Sequence, residues 1–224
     1  MASNLYWMIV GVLFVFGIVA AIMFYKYPSW ALAMLLPLMV WLLFDPLVLA
    51  VGNLLGEGST LQTLTSLRYL LRALAMPFLL VVAFDQAKRA RVKWMDDPLM
   101  MLGLGVVILG LIVLGLMNGY SGFSFEPVEI EGIKQYQPDT PLGLPLASLA
   151  TMGLITLFGV GIFLKTRAPW LLLGGVLMVV GLLVPVTALS FPSAILASIS
   201  VVFVLCVLLI ERHLQKLAPN PAVR

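Results

Sequence analysis

Residues 38–93 read LMVWLLFDPLVLAVGNLLGEGSTLQTLTSLRYLLRALAMPFLLVVAFDQAKRARVK, and this stretch decides the fold. Two apolar runs flank a short polar segment. A spanning helix needs about 20 predominantly apolar residues, and each run is of that order. The reading is a pair of membrane-length helices joined by a polar loop. Asp45 lies deep inside the first helix, Arg68 and Arg72 lie at the outer end of the second, and Lys88, Arg89, Arg91 and Lys93 close the hairpin with a basic cluster. Charge inside an apolar helix is costly, so each of these residues requires an account.

The composition agrees. The chain has 224 residues, of which 62% are hydrophobic and 10% charged, with a mean hydropathy of +1.11. A soluble domain carries about 25% charged residues, because water must wet its surface. Lipid is the natural solvent here. The net charge of +3 does not point to nucleic acid, because the basic residues fall in short segments between helices. A single cysteine, Cys206, and a single histidine, His213, exclude an intrachain disulfide, a thiolate cluster and a multi-histidine metal site. No cofactor is implied. The N-terminal run Leu5–Tyr25 lacks a preceding basic segment and is too long for a signal-peptide core, so it reads as a spanning helix.

Working outward, seven segments qualify as spans: 5–25, 30–54, 67–87, 98–118, 144–164, 170–190 and 192–212. The expected fold is an all-α polytopic transmembrane helix bundle forming one domain over residues 1–224. With the N-terminus outside and the C-terminus inside, ten of the thirteen Lys and Arg residues fall on the cytoplasmic side. A six-span alternative, in which 67–87 does not cross, places eleven inside. Seven is preferred because residues 69–84 contain one charge in sixteen. A plasma-type membrane is the expected location.

Helix-internal prolines (Pro37, Pro46, Pro77 and Pro185) mark sites of freed backbone carbonyls and kinks. Gly103, Gly105, Gly110 and Gly115 make the fourth helix small-faced, which reads as a central, tightly packed element. The longest polar segment, 118–143, alternates through Val128–Ile130 and Ile133–Tyr136 around Gly132, the pattern of a small hairpin that caps the bundle or meets a partner.

A weak internal repeat is present. Leu38-Met39-Val40, Leu43 and Pro46 match Leu177-Met178-Val179, Leu182 and Pro185 without gaps. Lys26, Pro28 and Trp30 are echoed by Lys165, Pro169 and Trp170, and Phe78, Leu80 and Val82 by Phe203, Leu205 and Val207. This suggests a 3+1+3 parallel repeat of the kind found in small transporters, although leucine-rich helices also match through bias alone.

Four residues make up the candidate site: Asp45, Arg68, Arg72 and Trp41, the last one turn before Asp45. Arg68 and Arg72 are the candidate partners of Asp45, and the structural reading is an Asp45–Arg72 pair that locks two helices. The functional reading is a polar pocket whose arginines hold an anionic group. Asp85, beside Lys88 and Arg89, reads as an interfacial pair. Gly119-Tyr120-Ser121-Gly122 spells a serine-nucleophile pattern, but no histidine is placed to act as base. The chain therefore reads as a binding protein or transporter for a small solute or lipid, not an enzyme. The alternative is a structural subunit of a larger membrane complex. The partners implied are the bilayer, the solute or lipid ligand, and either further copies of the chain or other membrane chains.

Overall fold

The computed structural model describes residues 2–95, 97–119, 125–130, 132–138, 145–183 and 192–217. The fold is the all-α bundle expected from the sequence. Its helices are α1 (Ala2–Lys26), α2 (Trp30–Leu55), α3 (Ser59–Ala75), α4 (Leu79–Arg89), α5 (Pro98–Gly119), α6 (Leu146–Thr166), α7 (Trp170–Leu183) and α8 (Pro192–Leu217). α3 and α4 run on as one broken helix through a 3-10 turn at Met76–Phe78, where Pro77 removes a helical donor. In contrast, α2 stays helical through Pro37 and Pro46.

Among the described residues, six helices are long and apolar enough to cross a membrane: α1, α2, α3–α4 together, α5, α6 and α8. α7 is helical over the 14 residues Trp170–Leu183. The remainder of the expected 170–190 span, including Pro185, lies outside the described residues.

The third helix begins at Ser59, eight residues before the expected start at 67. The segment taken as a polar loop forms a helix because Leu61, Thr65, Arg68 and Arg72 recur at helical spacing, and Leu61 and Thr65 are buried. Polar residues between them made the run look like a loop. The consequence is positional: Arg68 and Arg72 lie within the helix, not at its outer end.

The centre of the bundle is α4, packed against α2, α5, α6 and α8, with Leu80, Ala83 and Ala87 fully buried. The expectation that the glycine-rich fourth helix is central does not hold. α5 is largely exposed, and a Cβ at Gly103, Gly105 or Gly110 would meet nothing. Only Gly115 packs closely, against Ala73. Tight glycine packing occurs instead between α6 and α7. There a Cβ on Gly159 would lie 2.6 Å from the Leu172 nitrogen, and one on Gly175 would press on Thr156. Each helix admits the backbone of the other.

The neighbours exchange in pairs. α1 packs on α2 and α8, α6 packs on α7 and α4, and α2–α4 is mirrored by α7–α8. The helices α2 and α7 both begin at the tryptophan of the repeated Lys–Pro–Trp pattern, Trp30 and Trp170.

The expected hairpin is present as β1 (Phe125–Ile130) and β2 (Ile133–Pro138), antiparallel with Ile130 opposite Ile133. Gly132 takes φ +73° at the turn, a backbone conformation glycine adopts at no steric cost. The hairpin sits on the junction of α2 and α3. The Asn53 side-chain amide donates to the Gly132 carbonyl at 2.7 Å and accepts from the Lys134 N–H at 2.8 Å. Gly58 N–H donates to the Tyr136 hydroxyl at 3.1 Å. Tyr136 closes a small cluster with Val48 and Leu61. Gly52 permits this approach, since a Cβ there would collide with the Lys134 carbonyl.

Candidate functional site

Asp45 and Arg68 meet. By helical rise, both lie roughly 14–15 Å from the helix ends next to the hairpin. Arg68 Nε donates to Asp45 Oδ1 at 2.7 Å and Nη2 donates to Oδ2 at 3.5 Å. The two side chains are 14% and 26% exposed, so the pair is largely withdrawn from the surface. The sequence offered both arginines and placed Arg72 in the helix-locking pair; the structure corrects this, because Arg68 and not Arg72 makes the ion pair with Asp45. Arg72 lies one turn further along α3 and is half-buried. Its charge acts on Asp45, but it forms no ion pair or hydrogen bond of its own among the described residues.

These residues line one cavity of about 740 Å³. That is within the range of about 300–1,000 Å³ typical of small-molecule pockets. Trp41, Asp45, Arg68 and Arg72, the four residues singled out from the sequence, all contribute to its wall. The polar side also includes Gln135 and Gln137 from β2, which the sequence reading missed. The remaining wall is mostly apolar and comes chiefly from α1, α6, α7 and α8, with Leu13, Met152, Met178, Leu182 and Phe203. Thr151 and Ser200 also line it, and their hydroxyls donate to their own helix backbones at Ala147 and Leu196. The Trp41 indole N–H is buried and has no hydrogen-bond partner among the described residues, whereas a buried tryptophan N–H usually finds one.

Among the described residues, the charge lining this cavity is unbalanced. Asp45 and Arg68 neutralise each other, which leaves Arg72. An uncompensated arginine at the centre of a membrane helix costs about 2.5–3.5 kcal/mol on insertion scales. Such residues are generally found facing the bundle interior or a cavity, as Arg72 does.

No known protein family, curated protein or solved structure matches this chain.

A second polar cluster, of which the sequence reading held only the Asp85–Arg89 pair, lies at the opposite end of the bundle. Glu211 on α8 is fully buried. Arg89 of α4 donates Nη1 to its Oε1 at 2.9 Å and Nη2 to its Oε2. Ser29 and Gln86 also donate to this carboxylate, at 2.9 and 3.3 Å. Asp85 accepts from Arg89 Nε at 2.8 Å and from the Ala31 N–H at 3.1 Å, near the start of α2. Arg89 is therefore turned into the bundle and does not belong to a solvated basic cluster. Asp85 does pair with Arg89, as the sequence suggested. Tyr120–Gly122 of the serine pattern lie outside the described residues.

Proposed function

We propose that this chain binds or translocates a small solute or lipid through the Asp45–Arg68–Arg72 cavity, in a plasma-type membrane with the N-terminus outside. The observation that carries the reading is the convergence of Asp45, Arg68, Arg72 and Trp41 on one cavity of ligand size. The neighbour exchange between α1–α2–α4 and α6–α7–α8 gives secondary support, because parallel repeats with a site between them are a transporter architecture.

Ser200→Phe introduces a bulky ring at the cavity wall. Extracts of purified wild type should contain a small molecule in roughly equimolar amount that is missing from the filled variant, by mass spectrometry. Identical extracts would sink the cavity reading. The subunit alternative predicts that other membrane chains copurify in fixed ratio and that the filled variant behaves like wild type.

Orientation is tested separately. Glu129→Cys should react with an impermeant thiol reagent on intact cells, and Arg91→Cys only after permeabilisation, both in a Cys206→Ala background. The reverse pattern overturns the N-out assignment.

A further inference from the structure

The cavity lining is of two chemical kinds, a small charged set and a larger apolar one. Its charged lining residues, among those described, are Asp45, Arg68 and Arg72, which sum to one positive charge. Arg68 is committed to Asp45. Arg72 retains a planar fork of five N–H donors, suited to a carboxylate or phosphate. Much of the rest of the lining is apolar and comes from α1, α6, α7 and α8. On the outer surface of α1, α7 and α8 is a groove of about 450 Å³, bordered by Leu5, Leu177, Ser198 and Val202. Ile195 and Ile199 of α8 line both the groove and the cavity, so a single layer of side chains stands between them.

Resting on the cavity reading above, we infer that the ligand is a single-chain amphipathic anion. Its carboxylate or phosphate head is held by Arg72, its apolar chain lies along α8, and it reaches the cavity sideways between α1 and α7–α8. The charge calls for one anion. The apolar wall calls for a chain that a free inorganic ion lacks. The groove supplies a route from the surrounding lipid that avoids water.

The probes are palmitate, cetyl alcohol, butyrate and inorganic phosphate, added to wild type and variants in nanodiscs of phosphatidylcholine. Binding is read by Trp41 fluorescence, with Trp41→Phe as the blank. Palmitate should bind saturably and cetyl alcohol much more weakly. Arg72→Gln should weaken palmitate by about tenfold to hundredfold, the worth of charge-assisted hydrogen bonds. Arg72→Lys, which keeps the charge but loses the fork, should fall between. Ser198→Trp should slow palmitate association several-fold and leave the equilibrium affinity unchanged.

Equal binding of alcohol and carboxylate, or an Arg72→Gln protein with wild-type affinity and melting temperature, overturns the head-group assignment and leaves the cavity reading standing. Phosphate or butyrate binding as tightly as palmitate identifies a free anion and overturns the chain and its sideways route. If no probe binds, the inference fails. The comparison of wild-type and Ser200→Phe extracts then decides separately whether the cavity holds anything else.

Discussion

Arg89→Met is expected to destabilise the bundle by about 3–5 kcal/mol, the usual cost of leaving one member of a buried ion pair behind. Methionine keeps the apolar stem and removes the charge, so the loss reports electrostatics more than packing. The stranded group is Glu211, which is fully buried and, among the described residues, would retain the neutral donors Ser29, Gln86 and Gln215. Glu211→Gln should cost less, because Arg89 is 29% exposed and keeps Asp85. Removing both charges in Arg89→Met/Glu211→Leu should recover much of the single-mutant loss. Unfolding by titrated denaturing detergent gives all three numbers. Salt should change them little, because the carboxylate is shielded from mobile ions. A wild-type stability for Arg89→Met would show that the cluster does not tie α2, α4 and α8 together.

What the sequence made legible follows the strength of the local signal. Apolar runs near 20 residues are unambiguous, and six of them emerged as helices long enough to cross a membrane. The hairpin was legible because alternation and Gly132 agree. The start of α3 was not. Ser59, Thr60, Gln62 and Thr63 look like loop residues, and the buried stripe through Leu61 and Thr65 is visible only with a periodicity of 3.6. That offset moved both arginines inward by two turns and turned an end-of-helix reading into a cavity wall.

The glycines of α5 misled for a different reason. Small residues permit close approach but do not require a neighbour, and Gly103, Gly105 and Gly110 have none. Gly159 and Gly175 are pressed against the backbone of a neighbouring helix. Glu211 was overlooked because it stands in a basic C-terminal run. The available signal was topological: α4 and α8 end on the same side of the bundle, which brings Arg89 opposite an acid. Gln135 and Gln137 reach the cavity only through the docking of the hairpin on α2 and α3, which no local pattern encodes.

Asp45 and Arg68 should prove unequal partners, and the asymmetry tests whether the cavity is built around an extra positive charge. Asp45→Asn leaves Arg68 and Arg72 one turn apart with no counter-charge between them. The expected cost is about 3 kcal/mol, that of one uncompensated arginine at membrane depth. Arg68→Gln removes the made pair but leaves Arg72, whose charge already acts on Asp45. The cost should then be about 1 kcal/mol, the net worth of a hydrogen-bonded contact that a neighbour partly replaces. The exchange Asp45→Arg/Arg68→Asp should restore part of the Asp45→Asn loss, because the α2–α3 pair is re-formed with its polarity reversed. An anionic ligand discriminates further. Anything that binds only the folded state adds stability in proportion to its affinity, and with Asp45 neutral the cavity attracts an anion more strongly. Palmitate should therefore raise the melting temperature of Asp45→Asn more than that of wild type. Equal costs for Asp45→Asn and Arg68→Gln would place Arg72 outside the reach of Asp45 and leave the pair as a private lock between α2 and α3. A larger shift for wild type than for Asp45→Asn would mean that the aspartate, not the unpaired arginine, organises the ligand.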